Sequence, residues 1–173
     1  MPLAPSPAAI TINTTSVFEA NMAAWLGGKR RALNEGGTSS SKTYSILQLL
    51  VLILSHAKTP LIASVVSESL PHLKRGCIRD FLTIMGDGLD HRRWSRTEYI
   101  YTWPNGAKLE FFSADEPSKL RGGRRKILFL NEANNVSYSA FMELDIRTEL
   151  FTFMDWNPVS EFWAHEHLIG QPE

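Results

Sequence analysis

Residues 36–43 read Gly-Gly-Thr-Ser-Ser-Ser-Lys-Thr. Against the phosphate-binding loop G-x-x-x-x-G-K-[ST], Gly36, Lys42 and Thr43 match, and Ser41 stands where glycine is the rule. An apolar stretch, 44–57, follows and is long enough to be a helix. That order suits nucleotide phosphates. A tight loop turns backbone N–H groups inward, a helix N-terminus adds partial positive charge, one lysine reaches the terminal phosphates and one hydroxyl holds Mg²⁺. Gly36, Gly37, Thr38, Ser39, Ser40, Ser41, Lys42 and Thr43 are therefore the candidate phosphate cradle, with Thr43 also a candidate metal ligand. Glycine at position 41 would let the backbone approach phosphate with no side chain in the way. Serine fits the same loop where its backbone angles are allowed, and its hydroxyl can donate to phosphate. Taken alone, the string also describes a Ser/Gly-rich loop that merely caps a helix.

Three more groups could do chemistry with it. Asn131-Glu132 follows the apolar run 127–130, where a nucleotide hydrolase carries an acidic pair. Asn131 keeps an oxygen for metal and loses a charge, so Glu132 is the candidate general base; the alternative is a strand-end turn whose asparagines satisfy local backbone groups. Arg121, in Arg-Gly-Gly-Arg-Arg, is the candidate arginine for charge developing on a transferred phosphoryl group, in this chain or a neighbouring one. The same cluster also suits a phosphate backbone or a solvated basic loop. Asp155 and Asn157, before Pro158, can sense the terminal phosphate and couple it to movement, or simply form an Asn-Pro turn. His56, His72, His91, His165 and His167 have no metal-ligand spacing, and Trp94, Trp103, Trp156 and Trp163 read as packing residues.

These groups need elements to hold them. Residues 1–9 are rich in Pro and Ala and are expected to be poorly ordered, as part of a segment reaching residue 16. Residues 10–18 suit a short strand and 19–26 a weak helix. Residues 31–35 read as the strand entering the loop, though less apolar than a central strand should be. Strands are expected over 61–66, 126–130 and 150–154, and helices over 69–85, 136–147 and 161–168, the last capped by Ser160. Alternation over 97–103 and 107–112 around Pro104-Asn105-Gly106 predicts a hairpin. The layout is α/β: a mainly parallel, P-loop-type sheet flanked by helices, with an inserted β-hairpin. Three polar clusters then fall at the carboxyl ends of strands, where such sheets bind ligands.

Composition sets outer bounds. A chain of 173 residues, 43% apolar and 21% charged, suits one globular domain with a real core. Zero formal net charge does not announce a nucleic-acid binder, and one cysteine, Cys77, excludes an internal disulfide framework. No apolar run approaches the ~18 residues of a membrane span.

The order of motifs resembles phage terminase large subunits, the ATPase motors that package DNA into capsids, and most of all their PBSX-like branch. The resemblance is carried by NEGGTSSSKT (34–43), SVVSESLPHLKRG (64–76), KLRGGRR (119–125), ILFLNEANN (127–135) and MDWNPVSEFW (154–163). In that branch, serine at the position of Ser41 and asparagine at that of Asn131 resemble tolerated variants. The resemblance implies ATP as the nucleotide and Mg²⁺ as its metal, with Lys42 and Thr43 on phosphate and metal, Glu132 as catalytic carboxylate, Asp155 and Asn157 in the coupling segment, and Arg121 in the region that offers an arginine to a neighbour. It implies double-stranded DNA, a portal protein and a terminase small subunit as partners, a homo-oligomeric ring, and work at the procapsid in the host cytoplasm. Residues 17–173 would be an ATPase domain incomplete at its C-terminal end, without the family's nuclease. Two other readings fit the same residues: a nucleotide-binding or structural remnant without turnover, and a helicase or recombination-type P-loop ATPase.

Overall fold

The computed structural model describes residues 9–38 and 40–172; of the segment to residue 16 expected to be poorly ordered, 1–8 lie outside them and 9–16 inside. Helix α1 spans Ser16–Leu26, and the Thr15 hydroxyl caps it by accepting the Phe18 N–H at 3.1 Å. This cap replaces the strand expected over 10–18. Ile10 and Ile12 satisfy their apolar character by packing on the core from a segment without regular structure.

Strand β1 (Arg31–Glu35) leads through the glycine loop into α2 (Lys42–Ser55). Strand β2 (Ile62–Ser67) follows. The helix expected over 69–85 is one helical path in three parts: α3 (Leu70–Leu73), a π-helical turn (Lys74–Ile78) and α4 (Arg79–Met85). Strands β3 (Trp94–Ser95), β4 (Ile100–Thr102) and β5 (Lys108–Ser113) form the antiparallel part of the sheet. The hairpin turn closes where expected: Trp103 N–H donates to Ala107 O at 2.9 Å, and Gly106 takes φ 85°. Its first strand is shorter than alternation suggests, and β3 was not anticipated.

Short helix α5 (Pro117–Leu120) precedes β6 (Arg125–Leu130). Helix α6 (Tyr138–Asp145) starts where the Ser137 hydroxyl accepts the Ala140 N–H. Strand β7 runs Thr148–Trp156, two residues longer at each end than expected, so that Asp155 is part of the strand. Helix α7 (Trp163–His167) starts later than a Ser160 cap would place it. The Trp163 indole donates to Val136 O at 2.7 Å and its ring stacks on Phe141 at 4.7 Å, which fixes where the helix can begin.

The seven strands lie in the order β1-β7-β6-β2-β5-β4-β3, parallel from β1 through β5 and antiparallel beyond. This is the mainly parallel, helix-flanked sheet with an added hairpin that the sequence implies. Period-2 alternation explains why both faces are covered. Ile127 and Phe129 of β6 join Phe151 and Phe153 of β7 in the core under α1, α2 and α4. Leu128, Leu130 and Met154 face the other way, into a second core with Phe141 and Leu144 of α6 and Ala164 of α7. The low apolarity of β1 now has a cause: it is an edge strand, bonded to β7 alone among the described residues.

Candidate functional site

Sheet register brings the three polar clusters together. β7 lies between β1 and β6, with Asn34 opposite Asp155 and Leu130 opposite Met154. The loop that leaves β1 and the Asn131-Glu132 pair that leaves β6 therefore flank the end of β7. A cleft of about 370 Å³ opens there, lined among others by Thr38, Ser41, Lys42, Thr43, Asn131, Glu132, Asp155 and Asn157.

The loop is anchored at its start, where Gly36 N–H donates to Trp156 O at 3.2 Å. A Cβ on Gly36 would meet Ser40 Oγ at 3.1 Å, close enough that this side chain would have to shift; Gly37 has open space. Ser41, the departure from the motif, sits at φ 57°, ψ 18°, the left-handed conformation in which glycine is at ease. It stands at the N-cap of α2 and makes no side-chain cap bond. The first N–H groups of a helix have no partner within it, so this end of α2 presents donors and partial positive charge to the cleft.

Lys42 is 7% exposed. Its ammonium donates to Gly36 O at 2.5 Å, Gly37 O at 3.0 Å, Ser40 Oγ at 2.9 Å and Asn157 Oδ1 at 3.3 Å. Every one of these partners is uncharged. A buried cation whose direct hydrogen bonds all go to neutral groups, at the positive end of a helix, suits an anion.

Thr43 and the strand ends form a second, tighter network. Thr43 Oγ1 donates to Asp155 Oδ2 at 2.5 Å. Asn131 Nδ2 donates to Asp155 Oδ1 at 2.9 Å and reaches Thr43 Oγ1 at 3.3 Å, while Glu132 N–H donates to Asp155 Oδ1 at 2.8 Å. Burial pushes the Asp155 carboxyl above the usual carboxylate range; the bonds from Thr43, the Glu132 N–H and Asn131, with the charge of Lys42, pull the other way.

Glu132 itself takes the left-handed conformation, φ 50°, ψ 56°, and its carboxylate reaches His72 Nε2 at 2.6 Å and accepts from Asn135 Nδ2 at 3.2 Å. His72, Gly76, Arg79 and Asp80, on the helical path after β2, line the cleft. Sequence reasoning passed over them, since a lone histidine after a proline carries no spacing signal. Arg79 is held by Asp80, at 2.8 Å from Nη2 to Oδ1.

One candidate falls elsewhere, and one lies outside the described residues. Arg121 lies on an exposed turn after α5 and does not line the cleft. Ser39 is outside the described residues. Thr43 offers a neutral hydroxyl oxygen beside the Asp155 carboxylate, hard oxygen donors that suit Mg²⁺, while Asn131 turns its amide nitrogen toward both.

No family model matches the chain, and no curated protein matches it in sequence. Its fold matches solved phage large terminases. The large terminase from a thermophilic bacteriophage superposes with TM-score 0.71 at 13% identity, covering 85% of this chain and 40% of that one. That terminase has also been solved with ADP and with ATP-γ-S. The large terminase of bacteriophage HK97 gives TM-score 0.67 at 11% identity, covering 87% of this chain and 34% of that one. The large terminase ATPase domain of Thermus phage P74-26 gives 0.61 at 18%, covering 89% and 68%. This chain thus spans under half the length of the first two proteins and shares a fold with part of each.

Proposed function

We propose that this chain is the ATP-hydrolysing motor domain of a phage terminase large subunit, powering DNA packaging into the capsid. The observation that carries the reading is Lys42: a buried ammonium whose hydrogen-bond partners are all neutral, at the N-terminus of the helix that follows the glycine loop. ATP phosphates would replace its bonds to Gly36 O and Gly37 O, and the N–H groups of residues 41–43 would close around them. Mg²⁺, held at Thr43 and Asn131, would neutralise charge on the phosphates. Glu132 would polarise the attacking water from the far wall of the cleft. Asn157, already bonded to Lys42 at 3.3 Å, and Asp155 would register the terminal phosphate and pass the change to the chain beyond β7. Arg121, outside the cleft, would act only on nucleotide held by a neighbouring subunit.

Residues 17–173 would all belong to this ATPase domain, of the PBSX-like branch that the sequence segments resemble. Double-stranded DNA, a portal protein, a terminase small subunit and a homo-oligomeric ring would be the partners, at the procapsid in the host cytoplasm. Among the described residues no helix is long and apolar enough to cross a membrane.

The test is Mg²⁺-dependent ATP turnover by the wild type beside Lys42→Ala and Glu132→Gln. Loss of a charge-stabilising donor or of a general base lowers kcat by roughly 10²-fold or more. A wild-type rate no higher than either variant's would sink catalysis by this chain; nucleotide binding without turnover would then leave a nucleotide-binding remnant.

A further inference from the structure

Asn131 stands where nucleotide hydrolases of this kind place the aspartate that orients the metal. It carries no charge, and its amide nitrogen is committed to Asp155 at 2.9 Å. The negative charge next to Thr43 comes instead from the adjacent strand. Asp155 is 1% exposed, and its two oxygens together accept the Thr43 hydroxyl at 2.5 Å, the Asn131 amide and the Glu132 N–H. Among the described residues it is the one carboxylate bonded to Thr43. Glu132 is turned to His72 and Asn135 instead. The register explains how the exchange is possible. Asp155 lies on β7, directly between the strand that carries the loop and the strand that carries Asn131.

We propose that Asp155 supplies the anionic oxygen that orients nucleotide-bound Mg²⁺, so that the charge usually carried at the end of the Asn131 strand has moved one strand over. The proposal rests on the nucleotide-binding reading above. It gives Asp155 a task at the metal beyond the coupling role its position at the end of the last strand suggests. Asn131 becomes the positioning residue, whose amide holds the carboxylate against Thr43.

The experiment is equilibrium binding of a slowly hydrolysed ATP analogue, with Mg²⁺ and with EDTA, to the wild type, Asp155→Asn, and the exchange Asn131→Asp with Asp155→Asn. The readout is the ratio of the two affinities, which needs no turnover. The wild type binds tighter with Mg²⁺. Asp155→Asn loses ~10-fold to 100-fold of that gain, the range for groups that orient metal ligands, and keeps its affinity in EDTA. The exchange restores most of the gain by returning a carboxylate to the Asn131 side of the same hydrogen bond. Asp155→Asn with the full Mg²⁺ gain, or with equal loss in both conditions, overturns the proposal. If the single variant does not fold, the exchange decides: folded and responsive to Mg²⁺ supports the proposal, folded and unresponsive overturns it. A folded wild type that binds no nucleotide under either condition overturns the nucleotide reading first, and this one with it.

Discussion

Ser41 holds φ 57° at the start of α2 without a cap bond to compensate it. A left-handed conformation costs an L-residue about 1–2 kcal/mol. Glycine would remove that cost but has a more flexible unfolded chain, worth roughly 0.4–1 kcal/mol against it. Ser41→Gly should therefore raise stability by up to ~1.5 kcal/mol, whereas Ser41→Val, β-branched and poorly suited to positive φ, should lower it by more than ~1 kcal/mol. Urea unfolding of the three proteins checks both signs; a glycine variant less stable than wild type would mean that the serine hydroxyl holds the loop. The exception at Ser41 was legible in the sequence because a known pattern broke there. Its backbone angles were not, nor was the partner of Glu132. A motif specifies residues along the chain, while His72 reaches Glu132 across the cleft from another strand's exit.

At the scale of elements, the loop helix is held from behind. Asn105, at the hairpin turn, donates from Nδ2 to Leu54 O at 2.8 Å and Ala57 O at 3.0 Å, closing the C-terminal end of α2. Phe81 of α4 binds the same hairpin to the helical layer, with ring centroids 5.7 Å from Trp94, 5.8 Å from Tyr101 and 5.4 Å from Phe111. Phe81 is fully buried, so Phe81→Ala leaves a cavity as well as losing aromatic contacts, a cost of about 3–5 kcal/mol. Calorimetry should show a large fall in Tm, and a fall of only a few tenths of a kcal/mol would mean that the hairpin is not packed this way. The hairpin itself was readable from Pro104-Asn105-Gly106, because turn chemistry is local. The π-helical turn (Lys74–Ile78) was not, since nothing in Lys-Arg-Gly-Cys-Ile departs from helical periodicity strongly enough to mark it.

Across the whole molecule, strand order decides how firmly the site is held. Alternation of strands and helices was enough to imply a parallel sheet, but not that β7, last in sequence, enters between β1 and β6. Its pairing with β1 is set by contacts more than a hundred residues apart, such as Asn34 Nδ2 donating to Met154 O at 3.1 Å. One consequence can be measured. β6 and β2 are bonded on both sides and buried on both faces, whereas β1 is bonded only to β7 among the described residues and is half-exposed along most of its length. Opening free energies run from near zero at weakly packed elements to the global value in the core. Amide hydrogen exchange should therefore rank β6 and β2 as most protected and β1 as least among the parallel strands. Saturating nucleotide should then slow exchange chiefly over 31–43, because phosphate ties the loop to the N-terminus of α2 and through Gly36 to β7. If β1 exchanges as slowly as β6 in the free protein, its outer edge is covered in solution, and the loop is held before any nucleotide arrives.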